Sequence, residues 1–505
     1  MKFAASLHRR FAVDGVPYAY VTGSAAVLRL DDVSSSLLDE FSVEGGRDPG
    51  GWDRDNAGTE ELSDRKATLD QMVAMGLIRP VGENAPPAAK LPPMPFPLAT
   101  LVLNVTNKCN LSCTYCYEYG EDRIADSTKA DGTPKAAMMS PETACQSVDF
   151  LFESAKARRD VTVTFFGGET LLNFGTIRDA VAHAEKRARD EGKLVGFSLT
   201  TNATLLTEEV ADFLVAHRFG VNISIDGDKG THDRHRTFKS GRGSYEMIVP
   251  RIKELLAKNK ASNGRPIGAR VTLTAGMTGV REIYAHLHGE LGFDEVGFAP
   301  VTSAQENDYA LSDENYWQIL DEFAALAEDY VAAASEGHPH GFSNLSDVLR
   351  EMHQGINKAH PCGAGLGLLG VSTEGELGLC HRFVESGQHE VGNVVTGLDE
   401  EKRREFLEAG HISTKIACHE CFARPLCSGG CYHEAYVRYD DATKPNLHYC
   451  EWIRAWTDLG LRTYGRIMNA NPGYMTRFED RTAAAAAAGH EPVKGATPIG
   501  TEPKP

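Results

Sequence analysis

The stretch "NVTNKCNLSCTYCYEYGED", residues 104–122, places three cysteines, Cys109, Cys113 and Cys116, within eight residues in the spacing C-x3-C-x2-C. Zinc and ordinary iron-sulfur clusters usually take four protein ligands. Three thiolates from one loop hold three irons of a [4Fe-4S] cluster and leave the fourth iron without a protein ligand. An open coordination position is what a catalytic metal centre needs. Asn104 and Thr106 close a strand-like run, so the cysteines form a loop at the carboxyl end of a strand. The competing readings are a zinc knuckle, or a structural cluster completed by a distant cysteine.

From residue 98 onward strand-like runs, "LVLNVT", "VTVTFFGGE", "GFSLTTNA", "GVNISIDG", "GARVTLT" and "EVGFAPV", alternate with helical patterns such as "PETACQSVDFLFESAKARR" and "GSYEMIVPRIKELLAKN". Six such repeats predict an α/β fold whose parallel sheet curls into a partial (β/α)6 barrel. In that architecture the strand carboxyl ends build the active site. Residues 11–41 read as short strands turning at Asp14-Gly15, then a helix capped near Asp32 or Ser34. After a polar, Gly-rich insertion, "LDQMVAMGLIRPV" reads as a helix ending at Gly76 and a strand, which makes residues 1–84 a small winged-helix-like unit. The six prolines of "APPAAKLPPMPFP" make 85–97 a semi-rigid linker. The barrel occupies 98–305, and a helical connector follows over 306–355, with a helix from Ser312 to Ala334. A Cys-rich, Gly-rich region spans 356–456 and needs staples in place of a core. A C-terminal helix (457–482) precedes a disordered tail (483–505).

The 505 residues exceed what one hydrophobic core holds, so two to four domains are expected. The formal net charge of −18 excludes a basic nucleic-acid-binding stripe and electrostatic docking on an anionic membrane. No apolar run reaches spanning length and no secretory signal opens the chain, so a cytoplasmic address is expected. Eleven cysteines, an odd count in tight clusters, favour metal binding over disulfides. The second cluster reads C-x12-G-x4-C from Cys362 through Gly375 to Cys380, then C-x2-C-x5-C-x3-C (Cys418, Cys421, Cys427, Cys431), then Cys450. Taken alone, zinc is the first reading of four thiolates within fourteen residues. Cys145 is left over in an amphipathic helix, as a buried core residue.

C-x3-C-x2-C with Tyr115 just before its third cysteine resembles the radical SAM superfamily. The resemblance implies that S-adenosylmethionine fills the open iron site and is cleaved to a 5′-deoxyadenosyl radical. "FFGGET" ends the second strand as the superfamily's GGE does. Gly167 and Gly168 would allow close approach to the methionyl amino group, and Glu169 would accept its hydrogen bonds. "SLTTNATLL" puts Thr201 and Asn202 at a TNG-like turn. "SIDGDKGTHDRHR" puts Ser224, Asp226 and Arg236 where ribose and carboxylate would lie.

The second cysteine series, with Gly375, is similar to the SPASM domain of peptide-modifying radical SAM enzymes, which implies two auxiliary clusters and three [4Fe-4S] clusters in all. Carried over by position, Cys418, Cys421, Cys427 and Cys450 would hold the outer auxiliary cluster and Cys362, Cys380 and Cys431 the inner one. The inner set lacks a fourth thiolate, and among His381, Glu385 and His360 the sequence does not choose a completing ligand. His381 and Glu385 are also candidates for a general base. The N-terminal unit looks like a leader-peptide recognition element, which would add a peptide as a strand to a sheet edge. A generic interaction or dimerisation unit is the alternative.

"TNKCNLSCTYCYEYGEDRI" resembles the maturation proteins of quinohemoprotein amine dehydrogenase. That resemblance implies thioether bonds between Cys sulfur and Asp or Glu methylene carbons in the dehydrogenase small subunit, with an electron donor such as flavodoxin or ferredoxin. The acidic segment Tyr117 to Asp122 would help shape the site, or is a solvated turn. Alternatives are another SPASM maturase, either a sactionine synthase or an anaerobic sulfatase-maturing formylglycine enzyme, and a non-catalytic zinc adaptor.

Overall fold

The structure is a computed structural model that describes residues 1–54, 59–82, 97–116, 138–156, 158–301 and 307–481. The acidic segment 117–122, the linker before Pro97 and the tail 483–505 lie outside the described residues.

In the N-terminal unit β1 (Phe3–Ala5) pairs with β5 (Ile78–Pro80), while β2 (His8–Val13), β3 (Val16–Val21) and β4 (Ala26–Arg29) form an antiparallel sheet. Val13 pairs with Val16, so Asp14 (φ +52°) and Gly15 (φ +78°) form the two-residue hairpin turn, with the left-handed backbone such turns demand. Strand alternation sorts β3 between two cores. Tyr18 and Tyr20 join the main core, and Ala19 and Val21 pack with Leu28, Leu37, Phe41 and Met72 in a smaller one beneath α1 (Asp32–Phe41) and α2 (Thr59–Ala74). The cap of α1 is Asp31, not Asp32 or Ser34. The Asp31 carboxylate accepts from Ser34 N at 2.7 Å while Ser34 Oγ accepts from the Asp31 amide, so the two residues cap reciprocally.

Six parallel strands follow in sequence order: β6 (Thr100–Thr106), β7 (Asp160–Gly167), β8 (Leu194–Thr201), β9 (Gly220–Ser224), β10 (Ile267–Leu273) and β11 (Glu295–Pro300). Between them run α3 (Pro141–Ala155), α4 (Phe174–Glu191), α5 (Glu208–Ala216), α6 (Lys229–His232), α7 (Tyr245–Ala261) and α8 (Val280–Tyr284). This is the expected α/β partial barrel. Leu101, Leu103 and Val105 of β6, Val161, Val163 and Phe165 of β7, and Val221 and Ile223 of β9 point to one buried core. By strand alternation Asn104, Thr106, Thr164, Ser198, Asn222 and Ser224 occupy the other face, so the barrel interior is lined with polar groups. The connector helix α9 (Asp313–Ser335) is capped by Ser312, and α10 (Ser343–His353) follows.

The Cys-rich region departs from expectation. Its first strand, β12 (Leu368–Val371), pairs in parallel with β6, Leu368 opposite Thr100 and Val371 opposite Leu103, and β13 (Glu376–Gly378), β14 (Glu390–Asn393) and β15 (Gly397–Leu398) extend the same sheet antiparallel. Leu369, Val371, Leu377, Phe383 and Tyr432 belong to the barrel's own core. The region is therefore built on a core as well as on thiols, because β6 would otherwise end the sheet as an open edge. Short helices α11 (Glu400–Ala409), α12 (Arg424–Cys427) and α13 (Tyr432–Tyr439) lead to α14 (Cys450–Ala470), on which the N-terminal unit docks: Tyr18 Oη donates to Asn469 Oδ1 at 2.6 Å and Arg9 pairs with Asp458 at 3.0 Å. Among the described residues no helix is long and apolar enough to cross a membrane.

Candidate active site

The loop carrying Cys109, Cys113 and Cys116 leaves the carboxyl end of β6 and is held from three sides. Thr106 Oγ1 accepts from Lys108 N (3.1 Å), and Lys108 O accepts from Glu169 N (2.9 Å). Ser112 N donates to Thr237 O (2.8 Å), Thr114 N to His235 O (3.3 Å), and Thr114 Oγ1 meets His235 Nδ1 at 2.6 Å. Asn202 Nδ2 donates to Asn110 Oδ1 (3.1 Å) and reaches Cys109 Sγ at 3.8 Å. Burial pushes the Cys109 and Cys113 thiols up, and Arg236 opposes the shift at Cys113.

The strand-end motifs gather around this loop, though several of their polar groups are directed inward. Gly167 has φ +142°, and a Cβ there would stand 2.4 Å from Thr106 O. The close approach that only glycine permits is thus to the neighbouring strand, where Gly168 N also donates to Thr106 O at 3.0 Å. Glu169 is buried and its carboxylate already accepts from Thr201 Oγ1 (2.6 Å), Asn202 N (2.7 Å) and Leu171 N (3.0 Å). Burial pushes its carboxyl up and these three donors pull it back. Glu169 locks the ends of β7 and β8 together.

Asp226, fully buried, accepts from Tyr115 Oη, from Arg236 Nε (2.7 Å) and from Thr272 N (3.0 Å), and the Arg236 guanidinium lies 5.3 Å from the Tyr115 ring centre. Tyr115, Asp226 and Arg236 therefore form a hydrogen-bonded network that ties the cluster loop to the ends of β9 and β10. Ser224 ends β9 on the polar interior face.

Both base candidates from the Cys-rich region reach the barrel mouth. His381 packs on Phe166 with ring centres 4.6 Å apart, and burial beside Arg382 holds it down to about 3, so it is neutral at pH 7 and a poor proton acceptor. Glu385, at φ +64°, accepts from Asn107 Nδ2, two residues before Cys109, and from Thr373 Oγ1 at 3.3 Å. His360 stays within the Cys-rich region, with Nδ1 2.6 Å from Tyr432 Oη. Cys145 is half-buried beside Asp149 and Asp179 rather than in the core, since it falls at the margin of the apolar stripe of α3.

The remaining cysteines fall into two groups that feel each other's charge. The charges of Cys418, Cys421 and Cys450 act on Cys427, and those of Cys362 and Cys431 act on Cys380. Burial raises Cys427 to about 11 and Cys380 to about 12. Among the described residues no three His, Cys, Asp or Glu side chains converge closely enough for a single metal ion. The groups are looser constellations, and Cys431 splits from its neighbours in sequence to join Cys362 and Cys380.

The reading of the sequence did not single out Asn107, Asn110 and His235 for these contacts. All three lie inside the quoted motifs, and their polarity next to cysteines or to Arg236 was the available signal.

A polar barrel interior with three thiols on one loop at the strand carboxyl ends defines a cluster-based catalytic barrel. Residues 103–284 match the Radical SAM superfamily, so the chain carries a radical SAM domain, and that domain supports a radical SAM enzyme. That domain implies one [4Fe-4S] cluster and S-adenosylmethionine. The loop fits the cluster: three neighbouring thiols with Asn202 donating toward one, and the buried Asn104 Oδ1 in the interior without a partner among the described residues. A serine-type anaerobic sulfatase-maturating enzyme of Bacteroides thetaiotaomicron is 25% identical over 71% of this chain and 87% of its own. A cysteine-type anaerobic sulfatase-maturating enzyme of Clostridium novyi is 23% identical over 72% of this chain and 95% of its own. The solved structure of native anSMEcpe with bound AdoMet and Cp18Cys peptide shares the fold at a TM-score of 0.58 and 20% identity, covering 76% of this chain and 99% of that one.

Proposed function

We propose that the protein is a radical SAM maturase that oxidises a side chain of a ribosomally made polypeptide. Cys109, Cys113 and Cys116 hold the catalytic cluster, Cys418, Cys421, Cys427 and Cys450 one auxiliary [4Fe-4S] cluster, and Cys362, Cys380 and Cys431 a second. The observation that carries this reading is the partition of the C-terminal thiols into those two sets, on a sheet continuous with the strand bearing the first loop. When bound, the cluster and S-adenosylmethionine supply hydrogen-atom abstraction. The residues of the chain orient and enclose: Tyr115, Asp226 and Arg236 hold the loop, Glu169 with Thr201 fixes the rim, and Ser224 and Asn104 present polar atoms to the interior. A donor such as flavodoxin or ferredoxin supplies the first electron.

Two substrate chemistries fit. The relatives favour conversion of a Cys or Ser to formylglycine in a sulfatase. The cluster-loop sequence and the N-terminal unit of residues 1–82 favour the second, thioether formation between Cys sulfur and an Asp or Glu methylene in the small subunit of quinohemoprotein amine dehydrogenase, guided by a leader. In either case the substrate would lose one hydrogen atom to the deoxyadenosyl radical, one proton to a base or solvent, and one further electron, for which an auxiliary cluster would be the acceptor.

Anaerobically reconstituted protein, with reductant and S-adenosylmethionine, is incubated with sulfatase-derived Cys and Ser peptides and, separately, with the small subunit. A new carbonyl on a sulfatase peptide supports the first chemistry. Loss of two hydrogens and one alkylatable thiol per bond, without a carbonyl, supports the second. Deoxyadenosine formation with all three polypeptides unchanged overturns both assignments of substrate.

A further inference from the structure

Lys415 is a buried amine that neither the barrel chemistry nor the ligand sets use. It lies in the turn before Cys418 and is 3% exposed. Its Nζ donates to the carbonyl of Ser428 at 3.0 Å and sits 5.2 Å from the centre of the Tyr432 ring. Gly429 makes room for it, since a Cβ there would stand 2.7 Å from Nζ. Among the described residues no carboxylate lies within ion-pair distance of this amine. A buried ammonium left with a neutral carbonyl and an aromatic face is costly, and persists where an anion compensates it.

The groups that face it are thiols, and they come from both sets. The Lys415 carbonyl accepts from Cys418 N at 2.8 Å, Ser428 directly follows Cys427 and Tyr432 directly follows Cys431, and the thiols whose charge acts on the amine are Cys418, Cys427 and Cys362. Other cations serve one set each: Arg424 and Arg454 face Cys421, whereas Lys358, already paired with Glu351 at 2.7 Å, faces Cys362. A [4Fe-4S] cluster with thiolate ligands is anionic, gains negative charge on reduction, and has a potential set in part by nearby charge and burial.

We propose that the Lys415 ammonium is a counter-ion shared by the two auxiliary iron-sulfur centres and raises the reduction potential of both. This rests on the reading of two auxiliary clusters given above. The added electron makes each centre more negative, and a fixed positive charge near both stabilises both reduced forms. The surplus electron from substrate oxidation then finds two acceptors whose potentials move together.

The test uses the full chain with Cys109, Cys113 and Cys116 replaced by Ala, so that signals come from the auxiliary centres alone. Iron and sulfide are counted first; a triple variant without iron overturns the auxiliary-cluster reading itself. Potentiometric titration followed by electron paramagnetic resonance then compares Lys415→Gln, which keeps a donor for Ser428, Lys415→Met and Lys415→Arg. The expected result is a downward shift of both potentials in the Gln and Met variants and little shift in Arg. Unchanged potentials, a shift of one centre only, or an equal shift in Arg overturns the proposal. If the neutral variants fail to load iron while Arg loads it, the charge requirement stands; if Arg also fails, Lys415 serves packing and the proposal falls.

Discussion

Asn107 donates its side-chain amide to the carboxylate of Glu385, joining residues 278 positions apart. One lies two residues before the first cysteine of the cluster loop, the other five residues after Cys380. Glu385 is buried and holds a left-handed backbone that few residues without glycine's freedom adopt. The catalytic loop is thereby braced by the region that carries the second group of thiols.

Glu385→Ala leaves the Asn107 amide and the Thr373 hydroxyl without this acceptor. Losing hydrogen bonds of this buried kind costs about 1–3 kcal/mol. Urea unfolding of the variant should show that loss, and an unchanged midpoint would mean that the brace contributes nothing.

Asp226→Ala removes the acceptor of Tyr115, Arg236 and Thr272 and strands a buried guanidinium. Breaking one side of a buried ion pair costs about 3–5 kcal/mol. Tyr115→Phe removes one donor only and should cost about 1 kcal/mol. Comparing the denaturant midpoints of the two checks the ranking; equal losses would disprove it.

His232 Nδ1 accepts from Asp226 N at 3.4 Å, while Nε2 lies 2.9 Å from Ser244 Oγ, which itself donates to Arg236 O. The ring is therefore neutral with its proton on Nε2, and burial, with Arg236 nearby, lowers its pKa to about 4. The unfolded chain binds this proton near pH 6.5 and the fold refuses it until about 4. Its stabilising contribution is complete above pH 6.5 and disappears as the pH falls toward 4. Melting temperature should drop on acidification across that window, less steeply in His232→Gln; identical slopes would remove His232 from the account.

Gly167→Ala places a methyl group against Thr106 O in a backbone conformation that L residues rarely adopt. Strain of that kind costs about 1–3 kcal/mol before the clash is counted. The variant should accumulate poorly or melt well below the parent. Wild-type melting behaviour would show that the strand ends can separate.

Iron analysis separates the thiol sets. Cys421→Ser should lower the iron held by one C-terminal set and leave the Cys362, Cys380 and Cys431 set loaded, with Cys380→Ser doing the converse. Loss of the iron of both C-terminal sets in either variant would make the two sets one centre.

The barrel was legible because its evidence is periodic. Six apolar runs with alternating faces can only be half-buried or buried strands, and the three-cysteine spacing falls at the end of the first. The contribution of β12 was not legible: "LLGV" is four residues long, shorter than a pattern can declare, and Gly370 is required because a Cβ would lie 2.6 Å from the Cys380 backbone. The internal partners of Glu169 and Asp226 were not legible, because residue type and position are all a motif carries. Which donors satisfy a carboxylate depends on Thr201, Asn202, Tyr115 and Thr272, and distant strands bring these into place. The Asp31 cap was missed by one residue because Asp31, Asp32 and Ser34 are all capping types, and only the geometry of the turn chooses among them.

The pairing of β12 with β6 means that the cluster loop and the Cys-rich region share a ladder, not a tether. Residues 98–305 expressed alone would bare the hydrogen-bonding edge of β6 directly below the loop. The separation between the loop and the distal thiols is consequently a fixed dimension of the backbone, set by strand register, so any electron passing between centres held there would cross a distance that a flexible hinge would not preserve.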